Sequence, residues 1–306
     1  MRVLIIGFGS IGRRHYEVLT NLGHEVSILT KQDVKVEKMF SDLNDAIKSG
    51  RHDYVVIANN TDKHIETFSE IRASGFMGPI LVEKPLSVDL NHKDDIPSRN
   101  TYVAYNMRFN PLLQRLRDEI RGEKVISVVG YAGQYLPHWR RESDYRDSYS
   151  AFKSKGGGVL RDFSHELDYV IWLFGDWKYV SALGGKFSHL DIDTEDSFSI
   201  LFETENCHSV FLHFNYLSTS PKRNLIVNTK NDSFELDFVD KTFKKNSKVE
   251  SFEYDRNYSY KLQHEAILSE NLSFLCSYED ARKTLNFISK IEASAGGKTS
   301  IWMNNE

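Results

Sequence analysis

Met1-Arg2-Val3-Leu4-Ile5-Ile6-Gly7-Phe8-Gly9-Ser10-Ile11-Gly12 is the stretch on which the fold turns. Residues 2–6 form a short, continuous apolar run, as expected for a strand buried on both faces. Glycines follow at Gly7, Gly9 and Gly12, and residues 10–22 read as a helix. The G-x-G-x-x-G spacing is weak alone, but between a strand and a helix it acquires a physical meaning. Gly7 permits a tight turn, Gly9 lets the backbone approach a pyrophosphate, and Gly12 allows close helix–strand packing. The helix start, at Ser10 and Ile11 with Arg13 close behind, then offers unpaired N–H groups to an anion.

Outward from this turn the alternation continues. Residues 25–29 and 54–58 read as strands. A helix over 62–74 ends at Gly75, where a C-cap belongs. Residues 80–82 and 102–104 complete the series, and alternating strands and helices predict a doubly wound parallel sheet of Rossmann type. Near residue 120 the pattern changes. A long strand (125–135), a polar and aromatic loop (137–155) and one helix (159–174, with Gly175 beyond) come first. Alternating segments at 197–203, 209–216, 224–228 and 233–238 read as antiparallel strands, and 262–294 is helical again. The expected fold class is therefore α/β. A dinucleotide-binding domain spans 1–120, and an α+β domain with a mostly antiparallel sheet spans 121–306.

Composition narrows the function classes. The 306 residues are 40% hydrophobic and 27% charged, an ordinary globular balance with length enough for a large core. The net charge of −4 excludes a strongly basic nucleic-acid binder. Cys207 and Cys276 lie in no Cys-x-x-Cys motif and are expected as buried thiols in a reducing compartment. The apolar run at 3–6 is too short for a leader and no small-residue cleavage site follows. Later runs such as 169–174 fall far short of the ~20 residues of a membrane span. A cytoplasmic protein without membrane or nucleic-acid partners is expected. Two near-misses drop out: Gly296-Gly297-Lys298-Thr299 lacks the first glycine of a P-loop, and His165-Glu166-Leu167-Asp168-Tyr169 lacks the second histidine of a zinc helix, so no metal site is expected.

An acidic residue at the end of the second strand would hold a ribose 2′-hydroxyl. Ser27-Ile28-Leu29-Thr30-Lys31 ends instead in a hydroxyl and a cation. Thr30 and Lys31, with Arg13, favour a 2′-phosphate and hence NADP(H); NAD(H) stays open as the alternative.

Further motifs fall at strand ends, where ligands sit in such sheets: Asn59-Asn60-Thr61-Asp62-Lys63-His64 and Glu83-Lys84-Pro85. Beyond them stand Tyr105-Asn106-Met107-Arg108-Phe109-Asn110-Pro111 and Gly156-Gly157-Gly158-Val159-Leu160-Arg161-Asp162-Phe163-Ser164-His165-Glu166-Leu167-Asp168. The ordered set resembles the Gfo/Idh/MocA family of NAD(P)-dependent sugar oxidoreductases over nearly the whole chain. The resemblance implies that Lys84 sits by the nicotinamide and the reacting carbinol. It implies that Asn59, Asn60, Thr61, His64 and Glu83 line the cofactor, and that His165, preceded by Asp162, is a catalytic histidine. The step from Asp162 to His165 is one residue shorter than the common family pattern, which leaves open whether Lys84 or His165 is the main acid/base. Asp162, His165, Glu166 and Tyr169 are expected on the polar face of their helix, opposite an apolar stripe of Leu160, Phe163, Leu167, Val170, Ile171 and Phe174. The three glycines before it are expected to admit a ligand.

The chemistry needs one hydride and one proton moved. A histidine begins near the useful range for that proton, and Asp162 would orient His165 and stabilise its cation. The loop at 135–149 sets Trp139, Arg140, Arg141, Arg146 and Tyr149 together. It resembles a family branch linked to bacterial surface-polysaccharide pathways. Arginine forks bind phosphate or carboxylate, so an anionic sugar is expected, a nucleotide sugar or a nonulosonate-like acidic sugar. Asn106, Arg108 and Tyr169 are further candidate substrate contacts. The resemblance also implies a homodimer or homotetramer through an open sheet face. A non-catalytic NAD(P)-dependent sugar sensor or regulator on the same fold is the alternative.

Overall fold

A computed structural model describes residues 1–50, 52–90, 98–139 and 144–303. In chain order the elements are β1 (Arg2–Ile6), α1 (Ser10–Asn21), β2 (Glu25–Leu29), β3 (Met39–Phe40), α2 (Leu43–Gly50), β4 (Tyr54–Ile57), α3 (His64–Ala73), β5 (Ile80–Val82) and β6 (Thr101–Val103). Then come α4 (Pro111–Glu119), β7 (Val125–Gly133), α5 (Val159–Asp162), α6 (Ser164–Phe174), β8 (Trp177–Gly185), β9 (Ser197–Thr204) and β10 (Ser209–Asn215). The chain closes with β11 (Lys222–Thr229), β12 (Ser233–Asp237), β13 (Thr242–Lys245), β14 (Lys248–Ser251), α7 (Tyr258–Leu268), β15 (Cys276–Ser277), α8 (Tyr278–Gly297) and β16 (Ile301–Trp302). They fall into two compact units, Met1–Phe109 with Asp255–Arg282, and Asn110–Tyr254 with Lys283–Glu306.

In the first unit the described strands form one sheet in the order β15-β6-β5-β4-β1-β2-β3. It is parallel throughout except for β15, which pairs antiparallel with β6. Leu4, Ile6, Val55 and Ile57 pack against Phe68 and Ile71 of α3 on one face. Val3, Ile5 and Val56 pack against Leu19 of α1 and Ala266 and Ile267 of α7 on the other. Both faces are covered, and for that reason these strands read as unbroken apolar runs.

In the second unit the described strands form a sheet in the order β14-β13-β12-β11-β7-β10-β9-β8-β16. Only the β7–β10 pair is parallel; the rest are antiparallel. Val128, Leu212, Ile200 and Val180 are buried, while their neighbours Val129, Phe211 and Leu201 are exposed. One face is thus covered and one bare, and the sequence alternates accordingly.

Two boundaries differ from the sequence reading. The division falls between Phe109 and Asn110, before α4 rather than at residue 120, because Asn110 caps α4 (its Oδ1 accepts from the Leu112 amide, 3.0 Å) and Pro111 starts it. Residues 255–282 return to the first unit, because α7 buries its apolar side against the parallel sheet and β15 extends that sheet's edge. The helical block read over 262–294 is accordingly interrupted by β15. The helix read over 159–174 is also two pieces, broken at Phe163 (φ −94°, ψ 24°). Cys207 and Cys276 are both buried as thiols, outside any disulfide. No helix among the described residues is long and apolar enough to cross a membrane.

Candidate active site

Loops after β1, β2, β4 and β5 all leave the carboxyl edge of the parallel sheet. Gly7 has φ +97°, and a Cβ there would stand 2.5 Å from the Ala58 carbonyl oxygen. A Cβ on Gly12 would stand 2.1 Å from the Gly7 carbonyl oxygen, whereas one on Gly9 would meet nothing within 4 Å. Packing therefore dictates Gly7 and Gly12, and Gly9 leaves its outer side clear. No side chain caps α1 at Gly9, so the amides of Ser10 and Ile11 remain anion donors.

Beside this turn, Arg13 Nη2 donates to Gln32 Oε1 (3.2 Å), and its guanidinium lies 4.5 Å from the Phe8 ring centroid. Thr30 Oγ1 accepts from the Gln32 amide (3.1 Å), and Lys31 is exposed. After β4, Asn59 Nδ2 donates to Thr67 Oγ1 (2.8 Å), and the Asn60 carbonyl accepts from the Lys63 amide to close a single turn through Thr61 (2.8 Å). His64 is buried, with ring nitrogens 3.0 Å from the Pro85 carbonyl and 3.2 Å from the Asn59 carbonyl, and so ties the β4 loop to the β5 loop. Burial holds His64 below its ordinary value despite these bonds and the nearby Glu83 charge.

Glu83 is buried and Lys84 half-buried. Glu83 Oε2 accepts from the Lys84 amide (3.1 Å), and Oε1 lies 2.8 Å from His15 Nε2. His15 Nδ1 is 2.8 Å from His264 Nε2, and His264 Nδ1 is 3.0 Å from the Tyr54 hydroxyl. The sequence analysis did not find His15, His264 or Tyr54.

In the second unit, buried Asp162 ends α5 and accepts from two hydroxyls, Tyr149 at Oδ1 (2.6 Å) and Tyr216 at Oδ2 (2.5 Å). Burial, then the Asp162 charge, lifts the Tyr216 hydroxyl well above its ordinary value. Trp139 stands edge-on to Phe163 and Tyr216, at 5.6 and 5.4 Å between centroids. His165 lies in the first turn of α6 and is half-buried.

The sequence profile of the Gfo/Idh/MocA oxidoreductase family, NAD-binding Rossmann fold, matches residues 1–96, and that of the Gfo/Idh/MocA C-terminal domain matches residues 113–235. The chain belongs to the Gfo/Idh/MocA oxidoreductase family. The rhizopine catabolism protein MocA of Rhizobium meliloti is 32% identical over 145 residues, a match spanning 45% of this chain and 43% of that protein. A levoglucosan dehydrogenase solved with NADH and L-sorbose superposes with a TM-score of 0.85 at 14% identity, covering 99% of both chains. The WlbA dehydrogenase of Bordetella pertussis, solved with NADH and UDP-GlcNAcA, superposes at 0.81 with 16% identity, covering 100% of this chain and 98% of that one. At these identities the two structures establish the fold alone.

The first unit of this Gfo/Idh/MocA family member fits a dinucleotide: the cleared side of Gly9 adjoins uncapped helix amides, and loops bearing His64 and Lys84 leave the same edge. Several expected contacts are placed otherwise. Asn106 and Arg108 are buried in structural bonds, Asn106 Nδ2 to Ser259 Oγ (2.9 Å) and Arg108 Nη1 to the Leu275 carbonyl and Asp280 Oδ2 (3.3 Å each), which fasten the returning segment. Tyr169 is 0% exposed, and Glu166 beside it is buried against Arg223 (2.5 Å). Two members of the expected polar face are thus interior, Glu166 against Arg223 of β11 and Tyr169 against Phe238, 6.0 Å between centroids. The break at Phe163 also separates Asp162 and His165, so they do not share one continuous helix face. The glycines before α5 are filled by protein: a Cβ on Gly157 would strike the Tyr149 carbonyl (2.2 Å), and one on Gly158 (φ +114°) the Glu195 carboxylate (2.2 Å). Arg146 is held by Asp144 in its own loop through Nε and Nη2. Arg140 and Arg141 lie outside the described residues.

Proposed function

We propose that this oxidoreductase moves a hydride between a nicotinamide dinucleotide and a carbinol or keto carbon of a sugar. The observation that carries the reading is the carboxyl edge of the parallel sheet, where an open glycine turn stands in the same row as Lys84. When bound, the dinucleotide supplies or accepts the hydride. The chain's own groups hold the pyrophosphate at Gly9, Ser10 and Ile11 and move the proton of the carbinol oxygen. We assign that proton to Lys84 and His165. Asp162, gripped by Tyr149 and Tyr216, fixes the segment that presents His165.

The end of β2 carries Thr30, Lys31 and, through Gln32, Arg13. This donor set with no carboxylate favours a 2′-phosphate, and we assign NADP(H) over NAD(H). The anionic-sugar reading rests on the arginines at 140–146. Because Asp144 already occupies the Arg146 fork, a substrate anion must displace Asp144 to use it. Trp139 and Tyr149 supply stacking surface for the sugar. On the bare sheet face, Phe211 pairs across strands with both Val129 and Leu201, and the three are 38%, 41% and 49% exposed. This apolar row supports a homo-oligomer through that face.

Fluorescence titrations with NADPH and NADH, followed by turnover panels of nucleotide sugars, acidic sugars and neutral polyols, test the reading. Reduction or oxidation of the nicotinamide with a charged sugar is expected. A neutral polyol turned over equally well overturns the anionic assignment. Tight cofactor binding with no turnover on any panel points to the sensor instead.

A further inference from the structure

We propose that Tyr54, His264 and His15 are positioning residues for Lys84: a one-way hydrogen-bond chain that begins at the Tyr54 hydroxyl and ends on the Glu83 carboxylate, fixing a negative charge against the Lys84 main chain. The chain crosses the first unit from β4 through α7 and α1 to the loop after β5. All four residues are at least nine-tenths buried, and Tyr54, His264 and His15 are 0% exposed. With both ends enclosed it is no exit route for protons; its effect is electrostatic.

Its direction follows from counting donors. A carboxylate can only accept, so His15 Nε2 donates to Glu83 Oε1. If His15 is neutral, its Nδ1 accepts from His264 Nε2, and His264 Nδ1 accepts from the Tyr54 hydroxyl. Every group is then satisfied with two neutral imidazoles, both protonated at Nε2. One added proton, whether carried by Glu83 or by His15, reverses the chain: His15 Nδ1 donates to His264, and His264 Nδ1 donates to the Tyr54 oxygen. The Tyr54 proton then loses its acceptor in a fully buried site, which disfavours the reversed state. Tyr54 therefore sets the polarity. Burial above all holds the fully enclosed His264 well below its ordinary value, in keeping with a neutral ring. Burial, and then the Glu83 charge, lifts the Tyr54 hydroxyl well above its own, in keeping with a donor.

The other groups facing this chain are Tyr260, edge-on to His15 at 5.6 Å and under Arg14 at 5.1 Å, and His64, which feels the Glu83 charge. Because each hydrogen bond fixes the direction of the next, a proton added at the Glu83 end would have to turn the whole chain, and it would cancel the fixed negative charge beside Lys84.

The bearing on Lys84 rests on the dehydrogenase reading; the direction of the chain does not. The test is therefore nitrogen-15 NMR of the histidine rings in the full-length protein. The neutral Nε2–H form is expected for both His15 and His264, converting together in a single acid transition. Tyr54→Phe removes the hydroxyl that biases the chain and is expected to raise that transition by about one pH unit. His264→Gln, whose amide can accept from Tyr54 and donate to His15, is expected to leave it near the wild-type position. Mixed tautomers, or a transition unmoved in Tyr54→Phe, overturn the proposal. In the cofactor-loaded protein with any sugar it turns over, the acid limb of kcat/KM is expected to move with the NMR transition while circular dichroism is unchanged. Absence of turnover with the NMR result intact refutes the dehydrogenase reading alone.

Discussion

Glu195→Gln is expected to stabilise the second unit in a strictly pH-dependent way. Glu195 is 8% exposed, and its carboxylate fills the space that a side chain at Gly158 would need. Burial pushes this carboxyl from 4.5 up to about 7. Its own backbone amide and Arg161 oppose the rise, and Glu292 adds to it. A folded value above the unfolded one means the native state holds the proton more tightly. The stability this supplies is complete below the unfolded value and is lost as pH climbs through the folded one. The window therefore runs from about pH 4.5 to 7, and the loss across it is about 3 kcal/mol at 1.36 kcal/mol per unit. Glutamine mimics the protonated side chain, so the variant keeps this stability at every pH. At pH 4, below the unfolded value, the two proteins should melt nearly together. At pH 8 the variant should melt higher by roughly 6–12 °C, at 2–4 °C per kcal/mol for a unit of this size. Calorimetric melts from pH 4 to 9 measure the difference. A gap between variant and wild type that is constant with pH, or that widens toward acid, refutes the reasoning.

Three further outcomes follow from the first unit and the proposed chemistry. Gly9→Ala should leave the melting temperature within about 2 °C, because its Cβ meets open space, while weakening NAD(P)H binding in a fluorescence titration; Gly12→Ala, driven into the Gly7 carbonyl, should lower both. Arg13→Ala with Lys31→Ala should cost NADPH affinity about tenfold or more and leave NADH affinity nearly unchanged, since each removes a charge suited to a 2′-phosphate; equal losses for both cofactors argue against the NADP(H) assignment. Lys84→Ala and His165→Ala should each reduce turnover by at least ~100-fold, and near-wild-type rates in both remove them from the proton step.

The parallel sheet was legible because burial on both faces leaves runs such as Val3-Leu4-Ile5-Ile6 with no competing reading. The second sheet was legible as alternation because one face stays bare. The break at Phe163 was not: one residue leaving helical geometry does not disturb an apolar stripe counted over four turns. The interior position of Tyr169 and Glu166 was hidden for a related reason. Periodicity identifies two faces of a helix, but not what packs against the polar one, and Glu166 is hidden only because Arg223, 57 residues on, pairs with it.

The candidate site divides along the same line. Gly7, Gly9, Gly12 and Glu83-Lys84-Pro85 are local motifs at strand ends, so chain position alone announces them. The groups that would set their electrostatics are not local. His15 and His264 stand 249 residues apart, and Tyr54 and His264 210 apart. Each reads alone as an unremarkable histidine or tyrosine on an apolar face. They become one chain only when α7 returns to the first unit, the same return that displaced the expected domain boundary. A long-range fold event and a local motif thus meet at Glu83. A group buried there has to be satisfied by whatever the returning helix brings, since a buried carboxylate without donors is too costly to keep. The misplaced boundary and the missed histidines are therefore one error, and a sequence reading that assigned 255–282 to the first unit would have had reason to look for a partner for Glu83 on α7.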